Sequence, residues 1–343
     1  MKPLISIVIP AYNASKTIIP LLDSIYENRG KDIIEVIVVD DKSSDETAEL
    51  VQKYILKHPK LKIKILLLKT NSGPAHGRNV GARVARGNIL FFLDSDVILH
   101  KNSLSELVRS FEDPDIHALT GVWDKAQKNH AFFPKFKALR DWSYWINERD
   151  PKNYYYLFST RVAAIKRDLF LRLGGFDETY KSALVEDIEL TYRIARRYAV
   201  IFNPKVSVHH EFEDFVPIAK KYFWRSFYWS KIYRARKKFD PVATTGKEAV
   251  TTISAAGVVG SLLVLGGIWG IGDINFQLSL LFLVLGSLFL VIHLWGVRKF
   301  LGFCVKEEGI VFAIKAFFTG IVLYIIILSG AFLSTFYSPG KDR

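Results

Sequence analysis

The stretch that decides the fold is Gly87-Asn-Ile-Leu-Phe-Phe-Leu-Asp94-Ser-Asp96, a short apolar run that ends in two carboxylates one residue apart. The run has the length and composition of a buried strand, and in a strand residues i and i+2 point to the same side. Asp94 and Asp96 therefore converge at the strand's carboxyl end, where α/β sheets bind ligands. Such a pair is a natural seat for a hard divalent cation, Mg²⁺ or Mn²⁺, whose remaining positions go to water and phosphate oxygens. Taken alone, Asp-x-Asp at a strand end is also ordinary turn chemistry.

The flanking sequence gives the pair its context. Leu4-Ile-Ser-Ile-Val-Ile9 is a first apolar run, followed by Pro10-Ala-Tyr12-Asn13, a turn placed to meet a ligand at the strand end. A second run, Ile33 to Val39, stops at Asp40-Asp41-Lys-Ser-Ser-Asp45 and predicts a helix from Glu46 to Lys57 that Ser44 or Asp45 caps. Lys62 to Leu68 predicts a third strand, and Gly73-Pro-Ala-His-Gly-Arg78-Asn79 opens a small-residue helix through Ala85 that leads into the Asp94/Asp96 strand. Strands alternating with helices predict a mostly parallel, Rossmann-like α/β sheet that binds a nucleotide at its strand ends.

Five ordered motifs sharpen this reading: IVIPAYN at 7–13, VIVVDDKSSDET at 36–47, NSGPAHGRNVGARVARGNILFFLDSDV at 71–97, GGFDE at 174–178 and VEDIELTYRI at 185–194. Together they resemble the family 2 glycosyltransferases with the GT-A fold, over residues 4–215. Two departures stand out. Lys42 occupies a position where the family often has Gly, and the Gln-x-x-Arg-Trp element of its processive polysaccharide synthases is absent, Lys221-Tyr-Phe-Trp-Arg225 being the nearest string. A processive polymerase is therefore not expected.

The resemblance implies roles for individual residues. It places Pro10, Tyr12, Asn13, Asp40, Asp41, Gly73, Arg78 and Asp94 around a nucleotide-sugar donor. Asp41 is the favoured acceptor for a uracil N–H, and Arg78 a basic residue near the nucleotide, suited to phosphate or carbonyl contacts. Asp96 holds the metal, with Asp94 touching the metal or the ribose. His209 or His210, after the strand Lys205 to Val208, meets the metal or diphosphate, and the residues alone do not choose between the two. Asp187 is the implied base and Glu186 a binder of acceptor hydroxyls. A carboxylate at a helix N-terminus is favoured in its ionised form and so can take a proton. Gly174 and Gly175 let backbone approach the acceptor sugar.

The last third of the chain has a different composition. Thr251 to Gly272, Phe276 to Val297 and Ala316 to Tyr337 are apolar stretches of 22 residues each without Lys, Arg, Asp or Glu. Each is long enough to cross ~30 Å of hydrocarbon, which predicts a three-span transmembrane domain over 249–343. The N-terminal apolar run is too short for a signal peptide and is broken by Pro10, so the catalytic domain, 1–215, is expected in the cytoplasm on the plasma membrane. Charge agrees: Phe215 to Phe239 carries eight basic residues and no acidic one, Asp273–Asn275 carries no Lys or Arg, and Arg298–Lys315 carries four. The Lys341-Asp-Arg343 tail, placed outside by three spans, is the exception. A single cysteine, Cys304, excludes an intramolecular disulfide.

Residues 216–248 interleave these cations with Tyr222, Phe223, Trp224, Phe227, Tyr228, Trp229 and Tyr233. Next to a membrane span this pattern predicts an interfacial segment that touches membrane lipids rather than single-stranded nucleic acid, so no nucleic-acid partner is expected. Phe132 to Ile146 is a second such stretch. The sequence thus predicts a metal-dependent, inverting glycosyltransferase that moves one sugar from a nucleotide-sugar donor, a UDP-sugar foremost, to a hydroxyl of a lipid-linked or glycolipid acceptor. The alternative acceptor is a polyprenyl phosphate, which needs no base.

Overall fold

The computed structural model describes residues 2–148, 156–180, 182–239, 245–270 and 276–337. The expected Asp273–Asn275 loop and the 341–343 tail lie outside these residues. The described residues fall into two compact units, those of Met1–Asn129 with Pro151–Phe212, and those of His130–Asp150 with Glu213–Ser338. The sequence placed one boundary at 215; the fold instead joins 130–150 to the second unit.

The first unit is built on an eight-stranded sheet. Its strands are β1 (Ile5–Ala11), β2 (Ile33–Asp40), β3 (Ile63–Leu67), β4 (Ile89–Leu93), β5 (Val97–Leu99), β6 (Ala118–Trp123), β7 (Val162–Lys166) and β8 (Val200–His210), in the order β3-β2-β1-β4-β7-β6-β8-β5. β1 to β4 run parallel, as expected of buried apolar runs joined by the helices α1 (Ile18–Asn28), α2 (Thr47–Lys57) and α3 (Pro74–Val84). The other half is mixed: β4 with β7, β7 with β6 and β5 with β8 are antiparallel, and β6 with β8 is parallel. Strands β5, β6 and β7 were not legible in the sequence.

The chain winds from β1 to β3 on one side of β1 and then places β4 on the other, so a crevice forms at the carboxyl ends of β1 and β4. Pro10 is tolerated in central β1 because the pairing with β4 ends at Val8 and leaves no partner for the missing N–H. α3 lies close over the sheet because a side chain at Gly81 would collide with Val8. Below β4, Phe92 packs edge-on or tilted against Phe158, Phe170 and Phe176.

β8 is held to β6 through a register shift between Thr120 and Val122. At Gly121, inside the shift, a Cβ would collide with the Val206 carbonyl oxygen and sit 2.9 Å from Val162. Glycine here lets β8 approach, and the β8–β5 register then sets His210 opposite Val97.

The second unit contains α5 (Phe132–Trp142), which continues into a π-type turn at Ser143–Glu148, with α8 (Phe215–Arg236), α9 (Gly246–Gly270), α10 (Phe276–Glu308) and α11 (Ile310–Phe336). α9, α10 and α11 are long and apolar enough to cross a membrane. The expected loop Arg298–Lys315 is helix instead, broken at Gly309 with φ +89°. The expected interfacial segment is not a separate element: α5 and α8 share an apolar cluster with α10 and α11, formed by Phe133, Phe136, Ile218, Phe300, Cys304 and Ala316.

Gly121→Ala is expected to lower the stability of the first unit by about 1–3 kcal/mol, the ordinary range for overpacking. Gly30→Ala, where a Cβ meets nothing within 4 Å, should stay within about 0.5 kcal/mol. Denaturant unfolding compares the two directly.

Candidate active site

The loops at the carboxyl ends of β1 and β2 are knitted together. Asn13, in the left-handed region at φ +50°, donates its N–H to Ser43 Oγ (2.9 Å) and accepts the Ser44 N–H at Oδ1 (2.8 Å). Lys42 takes φ +60°, so the backbone shape that glycine provides elsewhere is kept here with a side chain. Asp45 accepts N–H groups from Ser15 (3.0 Å) and Thr47 (3.1 Å) and fixes the start of α2. Beside this frame Tyr12 is half exposed, with its ring open to a ligand.

The two aspartates that end β2 play different parts. Asp41 is buried and accepts two backbone N–H groups, from Ser72 (2.8 Å) and Gly73 (2.7 Å), with Gly73 at φ +89°. It is the anchor of the turn into α3. Asp40 gives Oδ2 to the Ser43 N–H (3.1 Å), while its buried Oδ1 has no partner among the described residues. Among the described residues the open acceptor is therefore on Asp40, while both oxygens of Asp41 are engaged by backbone N–H groups.

Arg78 also departs from expectation. Its side chain is almost wholly buried, with Nη2 donating to Asp94 Oδ1 (2.7 Å) and Nη1 to Glu186 Oε1 (3.2 Å). Burial alone would lower its pKa, but the Asp94 and Glu186 carboxylates outweigh that and raise it. The guanidinium thus joins Asp94 to Glu186. Glu186 is equally committed: its second oxygen accepts the Leu184 N–H at 2.8 Å. It holds Arg78 and the backbone just ahead of its own helix. Asp187, next along α7 (Glu186–Ile194), is half-buried, with Oδ1 accepting the Ile188 N–H at 2.8 Å.

The structure separates the two histidines. Neighbouring strand residues face opposite sides of the sheet. His210 turns to Asp96, with Nε2 3.4 Å from Oδ2, whereas His209 turns to Asp124 (3.1 Å) and Glu211 (2.6 Å). His210, and not His209, is thus the histidine in contact with Asp96. Burial, helped by the Arg161 charge, pushes the pKa of His210 below the usual imidazole range against the pull of Asp96. Burial would raise that of Asp96, but the His210 hydrogen bond and the Arg161 charge hold it below the carboxylate range. At neutral pH the pair is a carboxylate beside a neutral imidazole.

No three His, Cys, Asp or Glu side chains form a self-sufficient metal cage among the described residues. The Asp96–His210 pair nonetheless fits a divalent ion that keeps most of its shell for phosphate and water. An imidazole in the set suits Mn²⁺ better than Mg²⁺.

Sequence reasoning missed Arg161. Its guanidinium stacks over Trp123 (4.4 Å to the ring centre) and beside Phe212 (5.5 Å), lies close enough to Asp96 and His210 to shift both, and its Nε has no hydrogen-bond partner among the described residues. Nothing local marks it, since it stands outside the motifs and reaches the site only through the β6–β7–β8 arrangement.

The Gly174-Gly175 loop proves structural. Both glycines take positive φ, +84° and +72°, and a Cβ at Gly175 would collide with Asn79. Asn79 grips the Phe176 backbone through both its N–H and its carbonyl (2.9 Å each), and Arg193 Nη2 donates to the Gly175 carbonyl at 2.6 Å. Gly175 serves this grip, and Gly174 has open space around it.

With the geometry established, comparison with known proteins is decisive. Residues 6–173 match the glycosyl transferase family 2 model. The chain carries a family 2 glycosyltransferase domain. It is 41% identical over 103 residues to the poly(ribitol-phosphate) beta-N-acetylglucosaminyltransferase TarS of Staphylococcus aureus, covering 29% of this chain and 18% of that protein. It is 43% identical over 103 residues to the amylovoran biosynthesis glycosyltransferase AmsB of Erwinia amylovora, covering 29% of this chain and 33% of that one. The chain thus spans a third or less of these relatives' length. Among solved structures, the mannosyltransferase PcManGT of Pyrobaculum calidifontis, in complex with GDP-Man and Mn²⁺, superposes with a TM-score of 0.61 over 98% of this chain and 88% of its own at 19% identity. The shared fold is GT-A.

Removing the Arg78 guanidinium strands buried carboxylate charge. Arg78→Met is expected to cost about 3–5 kcal/mol. Adding Glu186→Gln, which keeps an acceptor for Leu184 and removes one stranded charge, should recover part of that loss in denaturant unfolding.

Proposed function

We propose that this protein transfers a single sugar, with inversion, from a nucleotide-sugar donor to a hydroxyl of a lipid-linked or glycolipid acceptor at the cytoplasmic face of the plasma membrane. The observation that carries the reading is the Asp96–His210 pair at the mouth of β4, with the guanidinium of Arg161, whose Nε has no hydrogen-bond partner among the described residues, close enough to act on both. Glycosyl transfer builds negative charge on the departing diphosphate, and this is where the chain gathers groups that answer it. A Mn²⁺ or Mg²⁺ ion held there by Asp96 and His210, with Asp94 close by, supplies positive charge to the leaving phosphates. Arg161 adds a fixed cation whose planar donors match phosphate oxygens.

Donor recognition falls to the β1 and β2 ends. Tyr12 offers a ring on which a nucleobase stacks, and the unpartnered Oδ1 of Asp40 is placed to accept a base N–H, which favours a UDP-sugar. Asp187 takes the proton of the attacking hydroxyl from its place in the first turn of α7, beside buried Arg78. That base is the reason to prefer a hydroxyl over a lipid phosphate, which is already ionised at neutral pH.

Two tests follow. Asp96→Ala and His210→Ala should each lose Mn²⁺-dependent donor hydrolysis and transfer, by at least ~100-fold for Asp96. His209→Ala should keep most of the activity, and full wild-type turnover in EDTA would exclude the metal. Asp187→Asn should bind nucleotide-sugar normally in calorimetry yet fail to transfer; near-normal transfer would point to a phosphate acceptor.

A further inference from the structure

Three helices of the second unit have the length and composition of membrane spans, and their packing sets the third apart from the first two. α9 and α10 run in opposite directions against each other. Ser254 lies 3.4 Å from His293, a Cβ at Gly257 would strike the Phe289 ring, one at Gly286 would stand 3.0 Å from Ser261, and one at Gly296 would strike Thr251. Small residues at each level let the two backbones close up, as paired membrane helices do. From the Thr251–Gly296 level to the other end of the pair is about twenty residues, or about 30 Å at 1.5 Å per residue, one hydrocarbon thickness.

α10 does not end at that level. It continues for about three more turns to Glu308, and this extension carries Arg298, Lys299, Lys306, Glu307 and Glu308, so it stands outside the hydrocarbon. α11 starts from the outer end of the extension. It meets the hairpin from Phe317 to Tyr324, whose rings both lie against His293 (5.7 and 5.5 Å between centres), and the Tyr324 hydroxyl donates to Glu248 in the first turn of α9 (3.2 Å). Twelve residues of α11 follow Tyr324.

The course of the remainder is set by α8, which packs along α11. Ile218 shares a cluster with Ala313 and Ala316, Phe223 and Ser226 crowd Gly330, and Arg234 reaches Ser334, 3.1 Å to Oγ and 2.5 Å to the carbonyl. α8 carries Lys220, Lys221, Arg225, Lys231, Arg234 and Arg236 with no acidic residue. Such a helix stays at headgroup depth, and a partner tied to its last turn stays there too. α11 buries one side, Ala313, Ala316, Leu323 and Ser334, and exposes an apolar stripe on the other, Val311, Ile314, Phe318, Val322, Phe332 and Phe336.

We infer that α9 and α10 are the membrane spans, and that α8 and α11 form a pair lying in the interface, with the α11 stripe in the acyl boundary and the α8 cations on anionic phospholipid headgroups. The chain after α11 then returns to the side on which α9 begins. Lys341 and Arg343 join the other basic residues on that side, and the charge conflict of a three-span topology disappears.

Cysteine mapping of the full chain in a bacterial inner membrane tests this, in a Cys304→Ala background. Tyr337→Cys and Lys16→Cys should react with an impermeant maleimide from one side and Phe276→Cys from the other. Tyr337→Cys reacting together with Phe276→Cys overturns the proposal. Independently, green fluorescent protein appended after Arg343 should fluoresce and alkaline phosphatase at the same point should be inactive, and the reverse result overturns it. A nitroxide at Phe332→Cys should report headgroup-level depth in anionic vesicles. A depth near the bilayer centre would place α11 across the membrane.

Discussion

The catalytic unit depends on one buried cation. Arg78 leaves the second turn of α3, beneath the glycine-permitted contact of that helix with β1, and reaches two carboxylates from distant parts of the chain. One, Asp94, ends β4 next to the metal-binding position; the other, Glu186, opens the helix that carries the proposed base. An always-ionised guanidinium between them pairs with both carboxylates and ties the end of β4 to the start of α7. A lysine, with a point charge and no fork, cannot hold the two in the same way. The neighbouring Asn79 repeats the device one residue on, gripping the backbone at Phe176 and so the loop that leads into α7.

Much of this was legible in the sequence because it rests on local patterns. Apolar runs that stop at Asp, Asn or Gly announced β1 to β4 and the crevice at their ends, and the Asp94-Ser-Asp96 string marked the end of β4. What escaped was set by pairing between distant strands. The choice between His209 and His210 depends on the phase of β8 against β5, fixed by a bulge at Gly121 that no neighbour of the histidines encodes. The different hydrogen bonding of Asp40 and Asp41 depends on where the turn before α3 presents its two N–H groups. The burial of Arg78 and Glu186 against each other is visible only in three dimensions.

The second unit shows the same division. Hydropathy found three apolar helices, since that signal is carried by composition alone. It did not find that α5, drawn from the middle of the catalytic sequence, belongs with them. Arg140 on α5 donates to Glu148, Glu248 and the Tyr324 hydroxyl, which binds α5 to α9 and α11 through a polar knot beside an apolar cluster. A segment that must enter this knot while its flanks remain in the sheet domain has no periodicity of its own to reveal it.

The central claim is that His210, and not its neighbour, joins Asp96 in holding the divalent ion at the donor diphosphate. Electron spin-echo spectroscopy of the protein with Mn²⁺ and UDP measures this directly, since a bound imidazole nitrogen modulates the manganese echo. The account expects one imidazole coupling that persists in His209→Gln and vanishes in His210→Gln. A coupling that survives in His210→Gln and is lost in His209→Gln would contradict it.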